Sequence, residues 1–303
     1  MAIKYLTYQQ INKVKWDACI EMASNGLIYG YSFYLDKMAK NWDALVLNDY
    51  EVVMPLTWNK KYAIHYLYQP AFTACLGIFG NNITAQMMNN FLQAVPAKFK
   101  YWDIYFNPGN VFTLTNYKLY ERKNFVLDLS ISYENLFERF NENIKRNIRK
   151  SDKYGLQINK NIRIADVIML AKAQSISFAA PAENDFENFK KLYNHLYKKQ
   201  KATTYGVFSN EKQLLAAAVF FFSHKRAYYI LVGNHPNGKT LGASHALINA
   251  FIKDHAGDDL LLDFEGSDIS SLAFFYSSFA AKEENYSALK LNKLPAVIKW
   301  FKK

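Results

Sequence analysis

The sequence carries the same order of landmarks twice. Each copy, at residues 44–109 and 205–268, has an apolar strand, a polar turn, an aromatic strand, a proline, a Leu-Gly pair, a helix and another apolar strand. Pro236 lies 166 residues after Pro70, and the glycines of the two Leu-Gly pairs are 165 residues apart. This spacing is far longer than a solenoid period, so we predict a tandem duplication of one domain.

Strand-like and helical segments alternate within both copies. Residues 52–57 are typical of a strand, and residues 241–255 have the length and apolar spacing of a helix. Such alternation predicts an α/β chain with mixed sheets. We predict an N-terminal domain at 1–130 and a C-terminal domain at 131–303, and we allow the tail at 287–303 to pack back on the first domain.

The composition is that of a globular protein with a basic surface. Of the 303 residues, 50% are hydrophobic and 17% aromatic, and the net charge is +11. This charge favours phosphate-bearing or polyanionic partners, although evenly spread lysines that only solvate the surface explain it equally well. Cys19 and Cys75 are too few for a disulfide framework. The longest apolar run, 214–222, is shorter than the roughly 20 residues of a membrane helix, so we predict a cytoplasmic protein without a transmembrane segment.

The segment NGKTLGASH, residues 237–245, follows a predicted strand and opens a predicted helix. The first backbone N–H groups of a helix have no internal partner, and the helix dipole favours negative charge there. Gly242 would allow the backbone to approach a phosphate closely. The segment therefore indicates either an anion site or an ordinary loop between strand and helix, and the sequence favours neither.

A second group of candidates lies in LLLDFEGSDISSLAFFYSSFA, at residues 260–280. Asp263 and Glu265 are expected on one face of a strand, because side chains alternate with a period of two. Tyr276 is expected on the following helix. Carboxylates near a tyrosine suit amine binding and proton transfer. The alternative is that the carboxylates serve the helix cap and that Tyr276 belongs to the core.

A cationic helix is predicted to begin at Ser132, a good N-cap residue. Lys145 and Arg149 share one face of this helix, and Arg146 lies beside them. Arginines in such a place bind phosphate well, but a solvated charged face has the same spacing. The helix would be held by apolar residues that recur every four positions, Leu136, Phe140, Ile144 and Ile148.

Several common catalytic motifs are missing from the sequence. The six histidines show no HExxH or other paired metal pattern, so we predict no metal site. There is no G-x-S-x-G elbow, no G-x-x-x-x-G-K-[ST] loop and no G-x-G-x-x-G fingerprint. Hydrolase, P-loop and dinucleotide-binding functions therefore lose support.

The sequence resembles the FemABX-type transferases over most of its length. The segment 127–158 resembles their R-x-x-I-R-K-x-x-x-x-G pattern, with Arg146 or Lys145 at its first position, then Ile148, Arg149, Lys150 and Gly155. Asp263–Gly266 resembles their D-F-x-G. Each domain of those proteins is similar to the GNAT acyltransferase fold. The resemblance therefore implies two tandem GNAT-like domains, with the donor and the chemistry in the second and the acceptor in the first.

Two departures from the family pattern bear on the chemistry. Where FemABX proteins usually carry a lysine, this chain has Tyr276, which resembles the tyrosine general acid of GNAT enzymes. The pyrophosphate motif of GNATs, [RQ]-x-x-G-x-[GA], is represented only by Lys239, Gly242, Ala243 and Ser244. No heptad run corresponds to the coiled-coil arm of some FemABX proteins.

The resemblance implies N-acyl transfer from acyl-CoA or aminoacyl-tRNA to an amine by direct attack, with no tightly bound cofactor. Tyr276 would protonate the leaving group, Asp263 or Glu265 would orient the amine, and residues 239–244 would hold donor phosphates. The cations Lys145, Arg146 and Arg149 would bind either the acceptor, a cell-wall precursor or a small molecule, or a tRNA end.

The alternative is a non-catalytic module that binds RNA, a glycan precursor or a protein. An open cleft lined by the candidate residues would favour the enzyme. A core-packed Tyr276 and a blocked segment at 237–242 would favour the binding module.

Overall fold

The computed structural model describes residues 2–174, 181–266 and 268–294. The chain divides into two compact units, one formed by residues up to Arg122 together with those from Asn285 onward, and one formed by Lys123–Glu284. The predicted domains, 1–130 and 131–303, differ from these units in their bounds. Within the described ranges, no helix combines the length and the apolarity needed to span a bilayer.

The helices and strands follow one another along the chain without long irregular stretches. From residue 3 to residue 128 they are β1 (Ile3–Leu6), α1 (Lys13–Met22), α2 (Ser32–Met38), β2 (Asn41–Leu47), β3 (Val52–Lys61), β4 (Ile64–Leu67), β5 (Phe79–Gly80), α3 (Ala85–Ala94), β6 (Phe99–Tyr105) and β7 (Tyr120–Asp128). They continue with α4 (Tyr133–Arg139), α5 (Glu142–Lys153), β8 (Gln157–Lys160), α6 (Ile164–Gln174), α7 (Glu183–Lys198), β9 (Ala202–Phe208), β10 (Leu214–Ser223), β11 (Arg226–Asn234), α8 (Pro236–Leu241), α9 (Ala243–His255), β12 (Leu261–Asp263), α10 (Ser270–Ser277) and β13 (Lys282–Asn292).

The two units have sheets with the same strand order and the same strand directions. In the first, β1 to β4 are antiparallel neighbours, β4 is parallel to β6, and β13 adds to β6 antiparallel. In the second, β8 to β11 are antiparallel neighbours, β11 is parallel to β12, and β7 adds to β12 antiparallel. An origin of this likeness by duplication stays a prediction.

The last strand of each sheet comes from a distant part of the chain. The first unit takes β13, whose residues Ala288–Asn292 pair with Tyr101–Tyr105. The second unit takes β7, whose residues Val126–Asp128 pair with Leu261–Asp263. Nothing in the local sequence pattern indicates this exchange of strands.

Each unit packs helices on its sheet around its own apolar core. In the second unit, Phe251 of α9 stacks on Phe220 of β10 with ring centroids 3.8 Å apart, and both side chains are fully buried. In the first unit, α3 buries Met88, Phe91 and Leu92 against the sheet. Burial of a large apolar side chain contributes roughly 1.5–3 kcal/mol, so these helix faces fix the helices on the sheets.

The helix predicted from Ser132 onward is two helices, α4 and α5. Asn141 begins the second one, because its side chain accepts a hydrogen bond from the Ile144 N–H and its amide donates to the Ser278 hydroxyl at 2.9 Å. The predicted apolar face still holds, since Ile144 and Ile148 are buried. A spacing of four residues fits both arrangements, so the pattern alone does not reveal the break.

Candidate active site in the second unit

The parallel strands β11 and β12 pair over only a short distance. Their register joins Arg226 to Leu261 and Tyr228 to Asp263, where β12 ends, while β11 continues to Asn234. A β-bulge opposite Val219 and Phe220 interrupts β11 just beyond this point. Bulges often lie beside active sites, because they redirect side chains and end strand pairing. The bulge and the end of β12 therefore make this edge of the sheet a candidate site.

An ionic cluster fixes the two strands where they still pair. Arg226 contacts Asp263 at 2.7 Å and holds both oxygens of Glu284 at 2.8 and 3.0 Å. Asn124 donates to Asp263 at 2.9 Å. Burial opposes the charge of Arg226, but the two carboxylates more than offset this and raise its pKa. These four residues thus form a group of low exposure in which one guanidinium bridges two carboxylates.

The prediction that Asp263 and Glu265 share a strand face is wrong. The strand ends at Asp263, and Glu265 adopts a left-handed backbone conformation with φ 66°. The Glu265 N–H donates to an Asp263 oxygen at 2.8 Å. Asp263 therefore accepts hydrogen bonds from Asn124, Arg226 and this N–H, and it has little capacity left for a substrate ammonium.

Tyr276 of α10 lies beside the end of β12. It is 8% exposed, and its ring stacks on Phe264 with centroids 4.6 Å apart. Burial, with a smaller effect of the Glu265 charge, raises the pKa of Tyr276 to about 12. Its hydroxyl forms no hydrogen bond with any residue in the described part of the chain. Tyr276 is thus a neutral phenol at physiological pH with an uncommitted proton.

His245 is a titratable residue of this region that the sequence did not single out. It lies in the first turn of α9, and its ring meets the edge of Phe275 at 5.0 Å and approaches Phe279 at 6.4 Å. Burial lowers its pKa to about 4, so the imidazole is neutral at physiological pH. Its contacts bring the start of α9 next to the α10 segment that holds Tyr276.

The segment predicted to bind phosphate is folded differently from the expected loop. Residues Pro236–Leu241 form α8, and Gly242 joins α8 to α9 in a left-handed conformation with φ 77°. A Cβ at Gly242 would lie 2.7 Å from the carbonyl oxygen of Asn147, so the glycine packs against α5. Of the other candidates, Lys239 is exposed, Ala243 is fully buried, and the Ser244 hydroxyl donates to Asn234 at 2.6 Å. Phosphate binding by these residues stays a prediction.

Replacing Gly242 with alanine is expected to destabilise the protein by about 2–4 kcal/mol, from backbone strain and from contact with α5. Gly257→Ala is the matched control, because Gly257 has φ 90° but no atom within 4 Å of its added Cβ. Urea unfolding should show the larger loss for Gly242→Ala. Equal losses of unfolding free energy in the two variants would mean that α5 makes room for the added methyl group without a cost in stability.

The predicted cations lie on α5, next to Gly242. Arg146 and Arg149 are exposed, and one Arg146 nitrogen donates to the Asn143 side chain at 2.6 Å. Lys145 is less accessible, because its ammonium pairs with Glu142 at 3.0 Å and donates to the Glu138 carbonyl at 3.1 Å. Two exposed arginines therefore lie on α5, the helix that packs against α9.

In the ranges that the structure describes, no three or more His, Cys, Asp or Glu side chains gather closely enough to hold a metal ion.

No protein-family model and no curated protein matches the sequence.

Solved structures show the fold. FemX matches with a TM-score of 0.66 at 13% identity, and the match covers 100% of both chains. A conserved protein of unknown function from Bacteroides thetaiotaomicron VPI-5482 matches with a TM-score of 0.60 at 12% identity, over 96% of this chain and 100% of that one. The C-terminal domain of a putative lysylphosphatidylglycerol synthetase from Agrobacterium fabrum matches with a TM-score of 0.56 at 10% identity, over 95% and 94%.

The chain therefore has the fold of FemX. This confirms, at the level of the fold, the resemblance to FemABX-type proteins seen in the sequence and the predicted α/β class. Identities this low establish the fold and leave activity and substrates open to proposal.

Proposed function

We propose that this protein transfers an acyl group from an activated donor to an amine. The observation that carries the proposal is Tyr276, a neutral phenol beside the end of β12 whose hydroxyl forms no hydrogen bond in the described part of the chain. Glu265 is the nearby carboxylate whose charge acts on that phenol. The FemX-like fold supports a transferase of this class.

In the proposed reaction the amine nitrogen attacks the donor carbonyl and forms the new C–N bond. The C–O or C–S bond to the donor breaks, and Tyr276 gives its proton to the leaving atom. Glu265 accepts the proton that the amine loses and releases it to solvent, and solvent returns a proton to Tyr276. Backbone N–H groups of β11 beyond the bulge, near Leu231–Gly233, would stabilise the oxyanion. Asp263 takes no part except to hold Arg226.

The pKa of Tyr276 favours an ester donor over a thioester. A phenol with a pKa of about 12 loses its proton readily only to a strong base. A thiolate is a weak base, since thiols have pKa values of about 8.5. A ribose alkoxide is far more basic, so general acid catalysis by Tyr276 is better matched to aminoacyl-tRNA than to acyl-CoA. The net charge of +11 and the exposed Arg146 and Arg149 also suit a nucleic acid.

Thermal-shift titration tests the donor directly. Aminoacyl-tRNA should raise the melting temperature by an amount that grows with the logarithm of its concentration, whereas acetyl-CoA should give a smaller shift. The double variant Arg146→Gln, Arg149→Gln should weaken tRNA binding roughly 10-fold and flatten its salt dependence. Arg163→Gln is the control, because Arg163 directly precedes α6 and its side chain is 83% exposed. If neither donor shifts the melting temperature, the transferase proposal fails.

A non-catalytic binding module is the second candidate, and two observations favour it. Tyr276 is largely packed among aromatic rings, and Gly242 lies against Asn147 instead of facing an open site. Such a protein would bind its ligand without turning it over. Binding of tRNA by wild-type protein, with no acyl transfer to any member of an amine panel, would support this candidate.

A further inference from the structure

A long segment of the first unit carries positive charge and no negative charge. Residues 52–102 contain no aspartate or glutamate, and their only lysines or arginines are Lys60, Lys61, Lys98 and Lys100. All four lysines are exposed. Lys98 has a counterion, since it pairs with Asp43 at 3.5 Å. The other three form no ion pair with any residue in the described ranges.

Strand pairing brings these lysines to one end of the sheet. β3 ends at Lys61, and β4 returns from there, so that His65 pairs with Phe99 at the start of β6. Lys293, just beyond β13, donates its backbone N–H to the carbonyl of Lys100 at 2.8 Å. The Lys293 side chain is exposed and also lacks an ion pair within the described part of the chain. We call this group the basic end of the first unit: Lys60, Lys61, Lys100 and Lys293.

The turn between β3 and β4 lies at this end and carries an exposed aromatic ring. Tyr62 and Ala63 form the turn, both with a left-handed backbone, at φ 47° and 65°. Such turns strongly prefer Asn-Gly, because these residues adopt the left-handed conformation at lower cost than tyrosine and alanine. Tyr62 is 87% exposed, and no large apolar side chain in the described chain is more so. The turn thus holds a tyrosine ring in solvent at a cost in backbone strain.

The equivalent hairpin of the second unit treats the side chains of its turn differently. His224 and Lys225 join β10 to β11 with the same backbone conformation, at φ 51° and 53°. There, His224 is partly buried and Lys225 pairs with Asp259. Tyr62, by contrast, contacts no other ring and forms no hydrogen bond within the described ranges, and the Lys61 ammonium lies over its ring at 5.4 Å.

We infer that the basic end and Tyr62 dock the first unit on an anionic lipid bilayer. Tyrosine is favoured at the membrane–water interface, where its ring is apolar and its hydroxyl stays among the headgroups. Lysines near an anionic surface each add to the attraction, and four of them gather at this end of the sheet. A ring exposed on a hairpin turn can enter the headgroup region without any change of fold.

A nucleic acid is the other polyanion that carries enough charge for such a surface. Proteins that bind single strands stack successive bases on several aromatic side chains, whereas this turn offers Tyr62 alone, with the Lys61 ammonium over its ring. In a bilayer the same pair is well placed, because ring and ammonium both belong in the headgroup region. The inference is independent of the proposed acyl transfer, since all the residues that it uses belong to the first unit.

Vesicle co-sedimentation of the full chain tests the inference. Vesicles of phosphatidylcholine with about 30% phosphatidylglycerol should bind the protein, and vesicles of phosphatidylcholine alone should bind it about 20-fold more weakly or less. Raising the salt from about 0.1 M to about 0.5 M should release the protein from the anionic vesicles, because salt screens exposed charges. No binding to the anionic vesicles, or equal binding to both kinds, would overturn the inference.

Lysine variants locate the contact. Lys60→Gln with Lys61→Gln should weaken binding to the anionic vesicles roughly 20- to 30-fold, because each lysine near such a surface contributes about 5-fold. Lys198→Gln with Lys201→Gln is the matched control, since it removes the same charge from exposed lysines of the second unit that also have no ion pair in the described ranges. The control should keep its binding within about 3-fold. Equal losses in both variants would assign the binding to net charge and contradict the inference.

The turn itself separates docking from stability. Tyr62→Asn with Ala63→Gly keeps every lysine and supplies the residues that this turn prefers. The variant should melt roughly 2–4 °C higher, yet bind the anionic vesicles about 5- to 10-fold more weakly. Unchanged vesicle binding would exclude Tyr62 from the contact and overturn the inference. Binding of uncharged tRNA that depends on the same residues, without binding of vesicles, would overturn it in favour of a nucleic-acid site.

Discussion

Replacing Tyr276 with phenylalanine should lower the turnover number of acyl transfer by about 100- to 10,000-fold, the usual contribution of a general acid. The variant keeps the ring that stacks on Phe264 and removes only the hydroxyl, which bonds to no residue in the described ranges. The unfolding midpoint should therefore change little. Steady-state kinetics with an aminoacyl ester donor, together with urea unfolding of the same preparation, measure both quantities.

Tyr229→Phe is the matched control for this prediction. Tyr229 is a buried phenol whose pKa burial also raises, with a smaller effect of the neighbouring Tyr276. Tyr229 has no part in the proposed proton transfer, so its variant should retain turnover within a factor of a few. Unchanged turnover in Tyr276→Phe would remove Tyr276 from the mechanism. An equal loss in both variants would assign the effect to packing of the aromatic cluster.

Arg226→Met should cost about 3–5 kcal/mol of folding stability, because it leaves two carboxylates of low exposure without their cation. The side chains of Arg226, Asp263 and Glu284 are 12%, 7% and 24% exposed, so solvent can compensate only in part. Loss of the cluster should also loosen β12 from β11 where the candidate site begins. Urea unfolding measures the stability, and amide hydrogen exchange in β12 measures the loosening.

Lys225→Met is the control for the ionic cluster. Lys225 is the adjacent residue and also pairs with a carboxylate, Asp259, but both side chains are more than 70% exposed. Surface pairs contribute little to stability, so the unfolding midpoint of this variant should hardly move. A similar small effect in Arg226→Met would show that water replaces the lost guanidinium.

The fold was largely predictable because its signals are local. The repeated landmarks correspond to equivalent elements, since Pro70 follows β4 and Pro236 follows β11 in sheets of matching order. Alternation of period two and apolar spacing near four residues depend only on neighbouring positions. The residues that this chain shares with FemABX-type proteins then indicated the fold, and the match to the solved structure of FemX confirms it.

The candidate site was less predictable because it depends on contacts between distant residues. The pairing of Asp263 with Arg226 joins residues 37 positions apart, and its contact with Asn124 joins residues 139 apart. The left-handed backbone at Glu265 ends a pattern that looks like a continuing strand. Likewise, the packing of Gly242 on Asn147 has no local signal, because a glycine before a helix fits an open phosphate loop equally well.

The exchange of end strands has a consequence for how the chain folds as it is made. A ribosome releases the N-terminal residues first, and many domains complete their fold before the next one emerges. Here β6 can pair with Ala288–Asn292 only after the whole of the second unit has been synthesised. Until then β6 presents an unpaired edge, which is a site for association with other chains. Productive folding of the first unit is thus coupled to synthesis of the whole second unit.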